Sequence, residues 1–138
     1  MRIRRAVLDA IVGHAQRERP RECCGLLVGG RDEVVEAVAV TNISDAPLRE
    51  YEVSPIQHLA VIRRCRDLTS AGVPRDVIGA YHSHPHTEAR PSATDLERAC
   101  QDFLFVIAGP VRDEADIPVR GYRLSGDQFE EVRLIVVD

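Results

Sequence analysis

The chain has 138 residues, of which 44% are apolar, and a formal net charge of −4. This length and apolar content predict one globular domain spanning residues 1–138. An acidic chain is a poor match to nucleic acid, whose protein partners usually present a basic face. All 18 cationic side chains are arginine, which excludes mechanisms that need a lysine amine.

Three segments have the apolar spacing and the end signals of α-helices. They lie at about residues 5–18, 54–71 and 92–101. The first is amphipathic and ends before Pro20, which cannot continue a helix. The second opens at Ser54, a favoured N-cap residue, and Leu59, Ile62 and Leu68 are predicted to form its inner stripe. The third also opens at a serine.

Short apolar runs between turn residues predict the strands. In chain order they cover residues 24–28, 33–40, 51–53, 77–84, 103–108, 119–124 and 129–137. Gly29-Gly30 is expected to close a hairpin, and Gly126-Asp127 to form the last turn. Residues 42–50 and 110–118 are the sizeable loops. The pattern predicts an α/β fold of the α+β kind, with a mixed β-sheet core flanked by about three helices.

The cysteines indicate an intracellular protein. Cys23, Cys24, Cys65 and Cys100 contain no C-x-x-C pair, so a cysteine-rich zinc site is not expected. The N-terminal segment turns polar too early for a secretion signal, and no apolar run is long enough to span a bilayer. We therefore expect a cytoplasmic protein without a membrane partner, in which the cysteines are reduced and buried.

Two histidines on one predicted strand, His82 and His84, carry the strongest chemical signal. Side chains two residues apart on a strand point to the same face, about 6–7 Å apart along the backbone, so both imidazoles can bind one ion. Ser92 and Asp95 follow as a helix cap and an acid three residues later. Two histidines and one carboxylate are a three-ligand set for catalytic zinc, with a fourth position for water. These residues predict one Zn²⁺ per chain.

The same residues resemble the signature of the JAMM (MPN+) metallopeptidase family. That signature is H-[ST]-H-P, then S-x-x-D, with an upstream glutamate in a segment like E-x-x-G-x-L-x-G. Residues 82–85, Ser92 with Asp95, and residues 22–29 match it. The resemblance implies a single MPN domain of cytidine deaminase-like architecture. It also implies zinc ligands His82, His84 and Asp95, a general base, Glu22, and an oxyanion stabiliser, Ser92.

Glu22 is hard to distinguish from Glu18 by its neighbours alone, because both lie in a stretch rich in charges. The abrupt change to an apolar run after Glu22 favours it, since an acid at the mouth of a buried strand has a raised pKa. Cys24 would share a strand face with Glu22, and we expect it to pack in the core rather than to bind metal.

Other histidines and acids are weaker candidates for metal ligands. Glu88 completes H-x-H-x3-E, half of a cupin motif, but the flanking glycines of that motif are missing: positions 76 and 95 are Asp. H-E-x-x-H is absent. His86 follows a proline in a loop and is expected to be exposed or to face substrate. His14 and His58 are predicted to be surface residues of helices.

Small bacterial and archaeal proteins of the JAMM family are associated with ubiquitin-like sulfur-carrier proteins. The resemblance implies a peptidase that cleaves after the C-terminal Gly-Gly of such a carrier or its extended conjugate. The carrier tail is predicted to lie along an exposed strand edge beside the zinc, and glycine suits a narrow channel. Two alternatives stay open: a non-catalytic MPN scaffold, or a zinc amidohydrolase acting on another amide, such as a cell-wall peptide.

Overall fold

The computed structural model describes residues 1–112 and 116–138. Within this part, three helices pack on one mixed sheet of eight strands, which confirms the predicted fold class. The helices are α1 (Arg5–Glu18), α2 (Pro55–Ser70) and α3 (Ala93–Glu97). The strands are β1 (Arg2–Arg4), β2 (Cys24–Gly29), β3 (Glu33–Val40), β4 (Asp76–Ser83), β5 (Leu104–Ala108), β6 (Val119–Ser125), β7 (Gln128–Val132) and β8 (Ile135–Val137).

The sheet has the order β7-β6-β5-β4-β2-β3-β1-β8. Its edge strands, β7 and β8, are separated in sequence by Arg133 and Leu134 alone, so the two edges are brought close together. The chain start is fixed at this seam. The amino group of Met1 donates to the Arg133 carbonyl at 2.9 Å, and the Ile135 N–H donates to the Met1 carbonyl at 2.9 Å. Strands β4 and β2, which lead to the predicted site, are the two central strands of this order.

Helix α1 covers one face of the sheet and begins and ends where the sequence predicts. Its buried side chains include Val7, Ile11 and Ala15, which belong to the same core cluster as Leu27 of β2 and Tyr81 of β4. Apolar residues at this helical spacing form one stripe, and burying that stripe stabilises the helix against the sheet.

The prediction that His14 is a surface residue is wrong. His14 is 8% exposed, and its Nδ1 lies 2.8 Å from the hydroxyl of Tyr81. This pairing satisfies two polar groups that would be costly to bury alone. Gly25 faces the Tyr81 ring, and a Cβ at this position would overlap that ring. Glycine in β2 thus leaves room for the tyrosine to reach α1.

Helix α2 covers the other face, but not with the predicted stripe. Its buried residues are Val61 and Cys65, one turn apart. Leu59 and Ile62 are 47% and 37% exposed, and Leu68 is half-buried, so the predicted stripe is wrong. Apolar residues lie on both sides of this helix, and contact with the sheet decides which side is buried. The predicted cap is confirmed by the hydrogen bond from the Gln57 N–H to the Ser54 hydroxyl.

Several predicted bounds differ from the structure. Helix α3 ends at Glu97 rather than near residue 101, and the predicted last strand is divided into β7 and β8. Residues 51–53 form no regular strand, since Val53 makes one isolated bridge with Asn42. Strand β1 was not predicted, because a three-residue strand has little local signal and depends on pairing with β3 and β8. Part of the predicted loop 110–118, residues 113–115, lies outside the described residues.

Three of the four cysteines are buried as predicted, and all four are free thiols. The exception is Cys100, which is exposed after α3. No helix in the described part of the chain has the length and apolar character needed to cross a membrane.

Candidate metal centre

The two histidines converge at the end of β4, on the face that α2 covers. Strand β4 pairs with β2 on one side and β5 on the other. This double pairing fixes the backbone, and the alternation of side chains directs both imidazoles to the same face. The Nε2 atoms of His82 and His84 are 3.1 Å apart. Both rings are buried, with exposures of 1% and 6%.

The start of α3 brings a carboxylate to the histidines. The Oδ2 atom of Asp95 lies 3.2 Å from Nε2 of His82 and 3.2 Å from Nε2 of His84. Asp95 is held by a capping box: the Ser92 N–H donates to Asp95 Oδ2 at 2.8 Å, and the Asp95 N–H donates to the Ser92 hydroxyl at 3.1 Å. The cap predicted from the sequence therefore also fixes the position of the carboxylate.

The three donor atoms fit a zinc ion. Zinc bonds to nitrogen and oxygen of about 2.0–2.1 Å in a tetrahedron place neighbouring donors roughly 3.3–3.4 Å apart, close to the observed separations. His84 has the matching tautomer, because its Nδ1 lies 2.8 Å from the carbonyl of Glu88 and must donate to it. In the neutral ring Nε2 is then unprotonated and available to a metal.

A second carboxylate, that of Glu22, approaches from the start of β2. Cys24 is paired with His82, so extending this antiparallel register by two residues sets Glu22 beside His84. Donor atoms of Glu22, His82 and His84 all lie within 4.8 Å of one another. Glu22 is 7% exposed, and its Oε1 has no hydrogen-bond partner among the described residues. This buried oxygen is free to accept a proton.

The electrostatics separate the two carboxyl groups. Burial raises the pKa of Glu22 to about 7, the charges of Asp95 and Glu50 act in the same direction, and His84 opposes them. Burial would also raise the pKa of Asp95, but hydrogen bonds with both histidines outweigh it and hold that pKa well below its usual range. The two pKa values are thus shifted in opposite directions: the charged form of Asp95 is favoured, whereas the protonated form of Glu22 is favoured.

The two imidazoles also differ. Burial lowers the pKa of His82, which favours the neutral ring that a metal needs. Burial also acts to lower the pKa of His84. The hydrogen bonds of His84 with Asp95 and with the Glu88 carbonyl outweigh burial, so that pKa is raised.

Two cavities are lined by residues that the sequence predicts for the site. On the Glu22 side, a cleft of about 440 Å³ runs between the end of α1, strand β3 and the loop after it. On the Ser92 side, an open hollow of about 590 Å³ lies between α3 and strands β6 and β7.

The remaining candidates from the sequence lie outside the donor set. The Glu88 side chain is 75% exposed and pairs with Arg90, so the cupin-like ligand set is excluded. His86 is exposed, as expected, and His58 is half-buried on α2. Cys24 is fully buried in an apolar cluster, which confirms the prediction of core packing.

Two side chains at the centre were missed by sequence reasoning. Tyr51 stacks on the ring of His82, with centroids 4.2 Å apart and an interplanar angle of 21°. Buried Ser83 accepts a hydrogen bond from the Cys23 N–H at 2.9 Å, which ties β4 to the residue after Glu22. No local pattern marks the Tyr51 stack, and Ser83 stands in the matched signature without any sign of this hydrogen bond, because both contacts join distant segments.

Comparisons with known proteins agree with this geometry. The model of the family described as prokaryotic homologs of the JAB domain matches residues 4–124. The desampylase of Haloferax volcanii is 33% identical over 135 residues, which cover 93% of this chain and 90% of that protein. The CysO-cysteine peptidase of Mycobacterium tuberculosis is 33% identical over 138 residues, which cover 99% and 90%. A JAB1/MPN domain protein from Archaeoglobus fulgidus has a solved structure with a TM-score of 0.64 and 25% identity, and all of both chains is covered.

The fold, the donor set and the buried glutamate together define a JAMM-type metallopeptidase. The mixed sheet positions the donors, and the match extends over most of the chain rather than over the motif alone. The chain belongs to the prokaryotic JAB family.

Proposed function

We propose that the protein is a zinc peptidase in which His82, His84 and Asp95 hold the metal. Glu22 acts as general base and Ser92 stabilises the oxyanion. The observation that carries this proposal is the convergence of three donor atoms 3.1–3.2 Å apart, with a buried carboxylate of raised pKa beside them. Asp95 is preferred to Glu22 as the third ligand because its oxygen is equally close to both imidazoles.

Bound zinc would polarise the scissile carbonyl and lower the pKa of the attacking water. Glu22 accepts a proton from that water at its carboxylate and delivers it to the leaving amine as the C–N bond breaks. In the metal-free protein burial raises the pKa of Glu22, and a raised pKa favours both transfers, since the group must gain and lose the proton in each turnover. The Ser92 hydroxyl, which accepts from the Asp95 N–H, keeps its own proton to donate to the oxyanion.

The substrate we propose is a ubiquitin-like sulfur-carrier protein extended or conjugated after its C-terminal Gly-Gly. Support comes from the relatives: one is a desampylase, one is a CysO-cysteine peptidase, and a third, from Thermus thermophilus, is a probable TtuB-protein conjugate cleaving protease. The first two match this chain over nine tenths of their own length. Two of these names state the cleavage of a peptide or of a protein conjugate: CysO-cysteine peptidase and probable TtuB-protein conjugate cleaving protease.

The predicted path of the carrier tail along a strand edge stays a proposal. Strands β2 and β4 are each paired with two neighbours, whereas β3 pairs with β1 only at Glu33 and Val34, and the end of β3 lines the cleft beside Glu22. We propose that the tail lies along this edge in the cleft that Glu22 lines and continues to the hollow that Ser92 lines. Glycine at the scissile bond removes the side chain that would collide with the buried rings.

The test combines metal content with cleavage. Protein purified without chelators or a histidine tag is analysed for zinc, then incubated with carriers that carry residues beyond Gly-Gly. We expect zinc to be bound and the extension to be released, with the Glu22→Gln variant retaining zinc and losing activity. If zinc is bound and no carrier is cleaved, but cell-wall peptides are, the protein is instead a zinc amidohydrolase that acts on another amide. If no zinc is bound after zinc is supplied, the non-catalytic scaffold is the remaining alternative.

A further inference from the structure

The two histidines of the centre are oriented by different means. Histidines that bind metals almost always donate the N–H of the second ring nitrogen to a fixed acceptor, which sets the angle of the ring. His84 follows this rule through the carbonyl of Glu88. His82 does not: its Nδ1 is buried and has no hydrogen-bond partner among the described residues.

A flat aromatic contact takes the place of the missing hydrogen bond. The Tyr51 ring stacks on the His82 imidazole at 4.2 Å between centroids and 21° between planes. Rotation of the imidazole about its Cβ–Cγ bond would drive ring atoms into the phenol ring of Tyr51, because two stacked rings leave no free space between their faces. The stack therefore restricts the direction of Nε2, as a hydrogen bond would.

The tyrosine is itself held in place. Its carbonyl accepts a hydrogen bond from Arg98 Nη1 at 2.9 Å, and the Arg98 guanidinium lies 3.7 Å from the Glu50 carboxylate. The amide of Asn42 donates to the carbonyls of Glu50 and of Glu22, at 3.1 and 2.9 Å. The segment that carries Tyr51 is thus hydrogen-bonded to Asn42, at the start of the loop between β3 and α2, and to Arg98, which follows α3. Through Asn42 it is also linked to the backbone of the proposed base, Glu22.

We propose that Tyr51 is a positioning residue, which fixes the imidazole of His82 for metal binding through its flat ring. The inference rests on the proposed function, since it assumes that His82 holds zinc. The property that matters is the planar face and not the hydroxyl, so phenylalanine should replace tyrosine and an aliphatic residue of similar bulk should not.

The experiment measures zinc affinity by competition with a chromogenic chelator for the full chain and three variants. We expect Tyr51→Phe to bind zinc as wild type does, and Tyr51→Leu to bind it roughly tenfold to a hundredfold more weakly, the range found when a metal-ligating histidine loses its orienting partner. Val53→Ala is the matched control, because Val53 lies in the same segment and packs against the same cluster. This control should keep wild-type affinity.

A second readout reports ligand geometry directly. With cobalt in place of zinc, the visible absorption bands of the bound cobalt should change in Tyr51→Leu. In Tyr51→Phe these bands should be the same as in the wild type. Equal zinc affinity and an unchanged cobalt spectrum in Tyr51→Leu would overturn the inference, and so would equal losses in Tyr51→Leu and Val53→Ala. If Tyr51→Leu does not fold by circular dichroism, Tyr51→Met takes its place under the same criteria. A wild-type protein that binds no zinc would instead refute the proposed function.

Discussion

Replacing Glu22 by glutamine tests the buried carboxyl through stability as well as through catalysis. In the metal-free protein, burial raises the pKa of Glu22 from 4.5 to about 7. The folded state keeps this proton as the pH rises from 4.5 to 7, whereas the unfolded state loses it, so stability falls across that window. Each pKa unit corresponds to about 1.4 kcal/mol, and the loss should reach roughly 2–3 kcal/mol above pH 7 after some solvent screening.

The assay is urea unfolding of chelator-treated protein at several pH values between 4.5 and 8. The glutamine of the Glu22→Gln variant cannot ionise. The free energy of unfolding of this variant relative to wild type should therefore rise by roughly 2–3 kcal/mol from pH 4.5 to pH 8. The comparison uses the difference in slope, which removes any constant cost of the amide. Glu18→Gln is the control: its carboxylate, 43% exposed, pairs with Arg21 on the surface. This variant measures the effect of removing one surface carboxylate while the buried carboxyl group of Glu22 is kept.

The same variant tests catalysis. Loss of a general base costs about 10²–10⁴-fold in kcat, and we expect this loss with zinc content unchanged, because Glu22 is not among the three closest donors. Parallel stability curves for Glu22→Gln and wild type would refute the burial argument. Activity close to that of the wild type would refute the role of Glu22 as base.

Four further changes give distinct results. His84→Ala should abolish zinc binding in elemental analysis, because the remaining donors cannot complete the site. Ser92→Ala should lower kcat by about 10²–10³-fold, as loss of an oxyanion donor does, with zinc retained in the same preparation. Glu88→Ala should leave zinc affinity unchanged, since His84 bonds to the backbone carbonyl and not to the carboxylate. Gly25→Ala should lower the melting temperature, because its Cβ overlaps Tyr81 and overpacking costs about 1–3 kcal/mol.

The local parts of the site were predictable from short stretches of sequence. Alternation along a strand is enough to place His82 and His84 on one face, and the capping box is enough to fix Ser92 relative to Asp95. The bounds of α1 follow from its apolar spacing in the same way. Two statements stay predictions: that residues 1–138 form one domain, and that the individual site residues have the catalytic roles given to them.

Contacts between distant segments could not be predicted from the residues alone. The approach of Glu22 to the histidines depends on the pairing of Cys24 with His82, 58 positions apart in the chain numbering. The Tyr51 stack and the His14–Tyr81 hydrogen bond arise in the same way. Such contacts have no periodic signal, because side chains meet through the register of the sheet and not through their spacing in sequence.

The sequence by itself determined the chemistry: which side chains can bind a metal, which strand and helix start carry them, and the class of fold that holds them. Only the tertiary structure decided which acid is buried beside the imidazoles, which face of α2 packs inward and what fixes the ring of His82. The physical reason is that local patterns set secondary structure and ligand type, whereas burial and pKa depend on every segment packed around a group.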